Sequence, residues 1–181
     1  MRKILFQNLL KGPVTEKGPA VDDAEVAALA QQVDAAARRR LGRSLAIREV
    51  DAGSCNGCEL EIHALNNPFY DLERFGFKFV ASPRHADVLM VTGPVTHNMR
   101  EGLERTWNAT PDPKWVVAVG DCACDGGVFA GSYACAGAVE KVVPVDLRIR
   151  GCPPDPIALL KGLLALLEAH GAPSAASGKG R

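Results

Sequence analysis

Four cysteines stand just past apolar segments patterned like β-strands. Cys55 and Cys58 form a C-x-x-C within Asp51-Ala52-Gly53-Ser54-Cys55-Asn56-Gly57-Cys58. Cys122 follows Trp115-Val116-Val117-Ala118-Val119-Gly120, and Cys152 follows Val145-Asp146-Leu147-Arg148-Ile149-Arg150. In an α/β sheet the loops after parallel strands converge on one edge, where ligands bind. Thiolates far apart in sequence would then meet at one point, which is the requirement for an iron–sulfur cluster, whose irons prefer soft, negatively charged sulfur. A structural zinc and metal-free buried thiols are the competing readings. Zinc ribbons usually use two C-x-x-C knuckles, whereas here one pair is joined by two single cysteines. A cubane 4Fe–4S cluster is wider than one ion and accepts ligands scattered over three loops.

The flanks fit a bulky group. Gly53, Gly57, Gly120 and Gly151 leave room for close backbone approach, and Pro153-Pro154 would stiffen the chain after Cys152. Four protein thiolates leave no obvious open iron, which favours electron transfer over substrate chemistry, so no catalytic residue is assigned.

Those cysteines need strands to position them. Leu45 to Val50 is the first candidate strand, Gly76 to Val80 the second, Ala86 to Val91 the third, Lys114 to Val119 the fourth and Val143 to Ile149 the fifth. The third and fourth are near-continuous apolar runs, as in parallel strands buried on both faces. Between them lie helical patterns. Val26, Leu29, Val33, Ala37 and Leu41 recur at three or four residues behind a cap at Asp22 or Asp23. Glu59 to Leu65 enters a helix that Asn66-Asn67-Pro68 ends, and Tyr70 to Phe75 adds a turn. Thr96 caps a helix to Asn108, and Pro154 or Pro156 opens a last one that buries Ile157, Leu160, Leu163, Leu164 and Leu167. Asp121 to Ala138, rich in Gly, Ala and Cys, reads as a shaped loop. The alternation predicts an α/β fold: a flavodoxin-like, doubly wound, mostly parallel sheet preceded by an N-terminal arm and helix. The expected division is an arm and amphipathic helix over 1–44, a cluster-binding domain over 45–170, and a disordered tail over 171–181.

Lys plus Arg and Asp plus Glu number 21 each in 181 residues, so bulk charge points to neither nucleic acid nor an anionic membrane. The basic run Arg38, Arg39, Arg40 and Arg43 reads as a solvated helix end. No run approaches the ~18 apolar residues of a membrane span, and Met1 to Gln7 lack the apolar core of an export signal. Six cysteines without such a signal predict a reducing, cytoplasmic location. The apolar arm residues Ile4, Leu5, Phe6, Leu9 and Leu10 are expected to dock on a neighbouring subunit.

Taken together, Gly53-Ser54-Cys55-Asn56-Gly57-Cys58-Glu59-Leu60-Glu61-Ile62, Ser82-Pro83-Arg84-His85-Ala86-Asp87-Val88, Val91-Thr92-Gly93-Pro94-Val95-Thr96, Gly120-Asp121-Cys122-Ala123 and Gly151-Cys152-Pro153-Pro154 resemble the small subunit of membrane-associated, group 4 NiFe hydrogenases, of the formate hydrogenlyase and energy-converting type. The same set is similar to the 20 kDa, cluster-bearing subunit of respiratory complex I. The resemblance covers about residues 45–168. It implies one proximal 4Fe–4S cluster on Cys55, Cys58, Cys122 and Cys152, in a multi-subunit oxidoreductase on the cytoplasmic face of the inner membrane. The implied partners are a NiFe large subunit, where protons and hydrogen interconvert, a ferredoxin-like iron–sulfur subunit, and membrane subunits met directly or through the complex.

C-N-G-C, where the complex I relative has adjacent cysteines, favours the hydrogenase branch. A quinone-reducing complex with a nickel-free large partner is the alternative. Glu61 matches an acidic position of both relatives, with cluster tuning, a subunit interface or a plain surface carboxylate open to it. Arg84, His85 and Asp87 read as a structural turn or an interface. Cys124 and Cys135 read as packing residues, with a substitute-ligand role also open to Cys124, and His63, His97 and His170 read as ordinary histidines, with a place facing the partner also open to His97.

Overall fold

A computed structural model of the chain describes residues 23–75 and 77–169. The arm residues Ile4 to Leu10, His170 and the tail lie outside the described residues. The elements run α1 (Asp23–Leu41), β1 (Ala46–Asp51), α2 (Gly57–Ala64), β2 (Lys78–Phe79), β3 (Val88–Thr92), β4 (Val95–Thr96), α3 (His97–Ala109), β5 (Trp115–Val119), α4 (Asp121–Asp125), β6 (Cys135–Gly137), β7 (Leu147–Ile149) and α5 (Pro156–Ala169).

Five strands form one sheet in the order β2-β1-β3-β5-β7, and every pairing in it is parallel, with Ile47 beside Val88, Val88 beside Trp115 and Val117 beside Leu147. This is the doubly wound order of flavodoxin-like sheets, with its switch point between the first and third strands of the chain. All five residues of β3 and of β5 are buried. Because side chains alternate across a strand, Val88, Met90, Trp115, Val117 and Val119 pack with α1, α2 and α5. Leu89, Val91, Val116 and Ala118 pack with Leu103 of α3 and Ala123 of α4 on the other face. Each fully buried Leu or Val contributes about 1.5–3 kcal/mol.

Helix α1 buries Val26, Leu29, Ala30, Val33, Ala36 and Ala37 against α5, following its sequence period. The last helix begins at Pro156, and its covered face is turned from the expected one. Leu159 and Leu166 are buried beside Leu160, Leu163 and Leu167, while Ile157 and Leu164 are half-buried. An all-leucine pattern defines no unique stripe, so packing against α1 and β7 chooses it.

The second and fifth expected strands shrink to β2 and β7. Both are edge strands with a single neighbour, and β2 ends where its own chain leaves the sheet, since β1 runs on to Asp51 past its last pair with β2 at Ile47. The segment expected as a loop over Asp121 to Ala138 contains α4, a 3-10 turn at Gly127–Phe129 and β6, which pairs antiparallel with β4. Thr96 precedes α3 without a side-chain cap bond; its hydroxyl instead donates to the Ala52 carbonyl at 3.1 Å. Arg43 is not simply a solvated helix end. Its guanidinium donates to both carboxylate oxygens of buried Asp87 at 2.8 and 2.6 Å, and the Ala46 N–H donates to Asp87 Oδ2 at 2.9 Å.

Candidate metal centre

The carboxyl ends of β1, β3, β5 and β7 lie along one edge of the sheet, and the cysteine loops start there. After β1, Asp51 Oδ1 accepts the N–H groups of Gly53 and Ser54 at 2.7 and 2.8 Å. Asn56 then takes a left-handed conformation, φ 72°, and α2 begins at Gly57. Cys58 therefore lies in the first turn of a helix that starts earlier than the sequence pattern suggests. The loop is pinned to the corner after β3, where Ala52 donates to the Thr92 carbonyl at 3.0 Å and Thr96 donates back to Ala52 at 2.8 Å.

Cys122 occupies the first turn of α4 behind Gly120, φ 86°. Its loop is tied to the Cys152 loop by three bonds. Gly120 N–H donates to Ile149 at 2.8 Å and Asp121 N–H to Gly151 at 2.9 Å, and Gly151 N–H donates to Asp121 Oδ1 at 3.1 Å.

Cys55, Cys58, Cys122 and Cys152 line one cleft together with Ser54, Gly57, Gly93, Asp121, Gly151 and Pro153. Cys55 and Cys152 are exposed, and Cys58 and Cys122 are half-buried. Burial pushes the Cys58 thiol up to about 12, helped by the negative charge of Glu59, Cys55, Cys122 and Cys152. Burial also raises Cys122, with Cys152 adding to it and the Val128 backbone N–H opposing. Burial and neighbouring negative charge thus disfavour the thiolate form of Cys58 and Cys122, and positive charge entering the cleft would oppose both effects. Among the described residues, no three His, Cys, Asp or Glu groups are placed to hold a single metal ion. A soft, cationic group wider than one ion fits this donor set.

A family model described as NADH ubiquinone oxidoreductase, 20 Kd subunit, matches residues 55–166, from the first cysteine of the cleft to the last helix. The chain belongs to this 20 kDa-subunit family. It is 45% identical over 169 residues to formate hydrogenlyase subunit 7 of Escherichia coli, covering 90% of the chain and 64% of that protein, so it spans just under two thirds of that relative's length. It is 48% identical over 128 residues to a probable membrane-bound hydrogenase subunit of Pyrococcus furiosus, covering 71% of the chain and 77% of that protein. It is 46% identical over 110 residues to an NADH-quinone oxidoreductase subunit of Heliobacterium modesticaldum, covering 60% of the chain and 63% of that protein. Among solved structures, a chain of an archaeal membrane-bound sulfane sulfur reductase complex superposes with TM-score 0.62 at 38% identity, over 73% of this chain and 71% of that one. A chain of an NAD+-reducing [NiFe]-hydrogenase shares the fold, with TM-score 0.55 at 20% identity over 70% and 93%. No described helix is long and apolar enough to cross a membrane.

Around the cysteine cleft the remaining candidates separate. Cys124 is buried, its thiol 3.7 Å from the Ala118 carbonyl and 3.9 Å from that of Ile149. Cys135 is half-buried in β6, and neither residue lines the cleft. Arg84 and His85 are exposed on a 3-10 turn, whereas Asp87 is buried under Arg43. Glu61 is half-buried, and His63 and His97 are exposed.

The carboxylate that sequence reasoning passed over is Glu59. It is buried, and neither of its oxygens has a hydrogen-bond partner among the described residues. Its place in the first turn of α2, where the helix dipole favours an acid, was the available signal. Leu60, Val128, Phe129 and Tyr133 are large apolar side chains left exposed in the segments just after Cys58 and Cys122.

Proposed function

We propose that this chain is the electron-transfer subunit of a membrane-associated NiFe hydrogenase complex, holding the proximal 4Fe–4S cluster on Cys55, Cys58, Cys122 and Cys152. The observation that carries this reading is the convergence of those four thiols on one cleft at the carboxyl edge of a parallel sheet, in a chain 45% and 48% identical to hydrogenase subunits.

When bound, the cluster supplies a one-electron relay between the NiFe centre of a large subunit and ferredoxin-like subunits. The chain's residues position and insulate it. Asp51 sets the C-x-x-C loop, Asp121 joins the Cys122 and Cys152 loops, and Gly93 and Gly120 let backbone close in. Leu60, Val128, Phe129 and Tyr133 form an apolar rim suited to the large subunit, since exposed apolar clusters mark protein contacts. Membrane attachment comes through partner subunits.

The 46% identity to an NADH-quinone oxidoreductase subunit favours a second reading, a quinone-reducing complex with a nickel-free large partner. Elemental analysis of the complex purified anaerobically through a tag on this chain separates the two. Near-stoichiometric nickel with iron and acid-labile sulfide supports the hydrogenase reading. Iron and sulfide without nickel, in an intact complex, moves the chain to the second. A colourless, iron-free complex overturns both.

A further inference from the structure

Arg150 immediately precedes Gly151-Cys152, yet its side chain reaches the other single-cysteine loop. Its Nη1 donates to Asp125 Oδ2 at 2.8 Å and lies 3.8 Å from Asp121 Oδ1. Asp125 Oδ1 in turn accepts the Gly127 N–H at 2.9 Å. Gly127 lies against Cys122, where an added Cβ would stand 2.8 Å from the sulfur. On the other side, Asp121 Oδ1 accepts the Gly151 N–H. Polar contacts therefore run from the Arg150 side chain, two residues before Cys152, through Asp125 to the Gly127 backbone packed on the Cys122 sulfur.

All three charged side chains are substantially exposed, and exposed ion pairs contribute little to global stability. The strands beneath are already joined by backbone bonds from Gly120 to Ile149 and from Asp121 to Gly151. What the ion pairs add is local: they join the Cys122 and Cys152 loops and hold a permanent cation on the residue two positions before Cys152.

We propose that Arg150, paired with Asp125 and Asp121, is a positioning residue that locks the Cys122 and Cys152 loops together and balances the charge felt at the site between them. This rests on the reading that those cysteines hold a 4Fe–4S cluster. Reduction adds one negative charge, so a nearby cation favours the reduced form and a nearby anion the oxidised form. Removing the guanidinium lowers the midpoint potential and removing the Asp125 carboxylate raises it. Either change breaks the same link between the loops, so both loosen the cluster.

The test compares wild type, Arg150→Gln, Arg150→Lys and Asp125→Asn in the anaerobically purified complex. Midpoint potential is read by redox titration with electron paramagnetic resonance, and cluster release by the rate of iron transfer to a chelator. Expected are a lower potential for Arg150→Gln, a higher one for Asp125→Asn and a near-wild-type one for Arg150→Lys. Iron release should be several-fold faster in both charge-removing variants. The potential shifts should shrink at 1 M salt, where the screening length falls to about 3 Å. Unchanged potentials, or shifts of one sign in Arg150→Gln and Asp125→Asn, overturn the proposal. Absence of iron and sulfide from the wild-type complex instead defeats the cluster reading on which it rests.

Discussion

Gly120 stands against Cys58 so closely that a Cβ on its Cα would lie 2.5 Å from the Cys58 sulfur. The two residues are far apart in sequence, and the contact joins the loop after β5 to the C-x-x-C after β1. Gly120 also holds φ 86° with ψ 159°, a region of backbone conformation essentially confined to glycine. Gly120→Ala should displace the Cys58 thiol and cut iron and acid-labile sulfide per chain to a small fraction of wild type. Gly102→Ala is the control, because its Cβ would meet only Met99 Cε at 3.6 Å. Full iron in a folded Gly120→Ala protein would refute the role given to this contact.

Tyr133 is 96% exposed and Val128 84%, and neither lines the cysteine cleft. Burying such side chains in an interface is worth about 1.5–3 kcal/mol each. The double variant Val128→Ser with Tyr133→Ser removes this apolar surface without adding charge beside Cys122 and should weaken association with the large subunit at least roughly tenfold. Its cluster spectrum should stay that of wild type. Pull-down through the tagged chain measures the first and electron paramagnetic resonance the second; undiminished large-subunit recovery would remove this rim from the interface.

Asp87 is buried and accepts three hydrogen bonds, two from Arg43 and one from the Ala46 N–H at the start of β1. Asp87→Ala strands the Ala46 N–H and frees Arg43, and should cost about 2–3 kcal/mol, the scale of hydrogen bonds to a charged group. Denaturant unfolding checks it. A change below about 0.5 kcal/mol, the usual range of surface substitutions, would show the network to be dispensable.

Burial raises the Glu49 carboxyl above its ordinary 4.5, with Glu59 and Asp51 adding and His63 and Arg48 opposing. The folded chain therefore holds this proton more tightly than the unfolded chain. The associated stability is complete below the ordinary value and is lost as pH rises through the higher folded one. Glu49→Gln removes that loss, so the variant should gain stability over wild type across this window and keep a constant advantage above it. Urea midpoints measured from about pH 4 to 8 give the comparison; an advantage that shrinks with rising pH contradicts it.

Much of the positioning was legible from sequence because it depends on local rules. The apolar runs Val88 to Val91 and Trp115 to Val119 read as strands buried on both faces, and they are. Spacing of three and four marks α1, and the placement of Cys55, Cys58, Cys122 and Cys152 past strand ends pointed to one edge of a parallel sheet. The short elements were not legible. β4 and β6 pair where positive-φ turns at Gly126, Gly127 and Gly131 fold the chain so that Cys135 lies beside Thr96, and no strand of two or three residues carries a period.

The donor types, their order and the sheet that gathers them were all written in consecutive residues, through hydrophobic periodicity and placement at strand ends. Which charges meet across loops was settled only by folding. Arg43 finds Asp87, Arg150 finds Asp125, and Glu59 is enclosed with no hydrogen-bond partner among the described residues. A side chain's burial and its distant neighbours are set by how separate elements pack, and residues dozens of positions apart carry no mark of that encounter until the chain has folded.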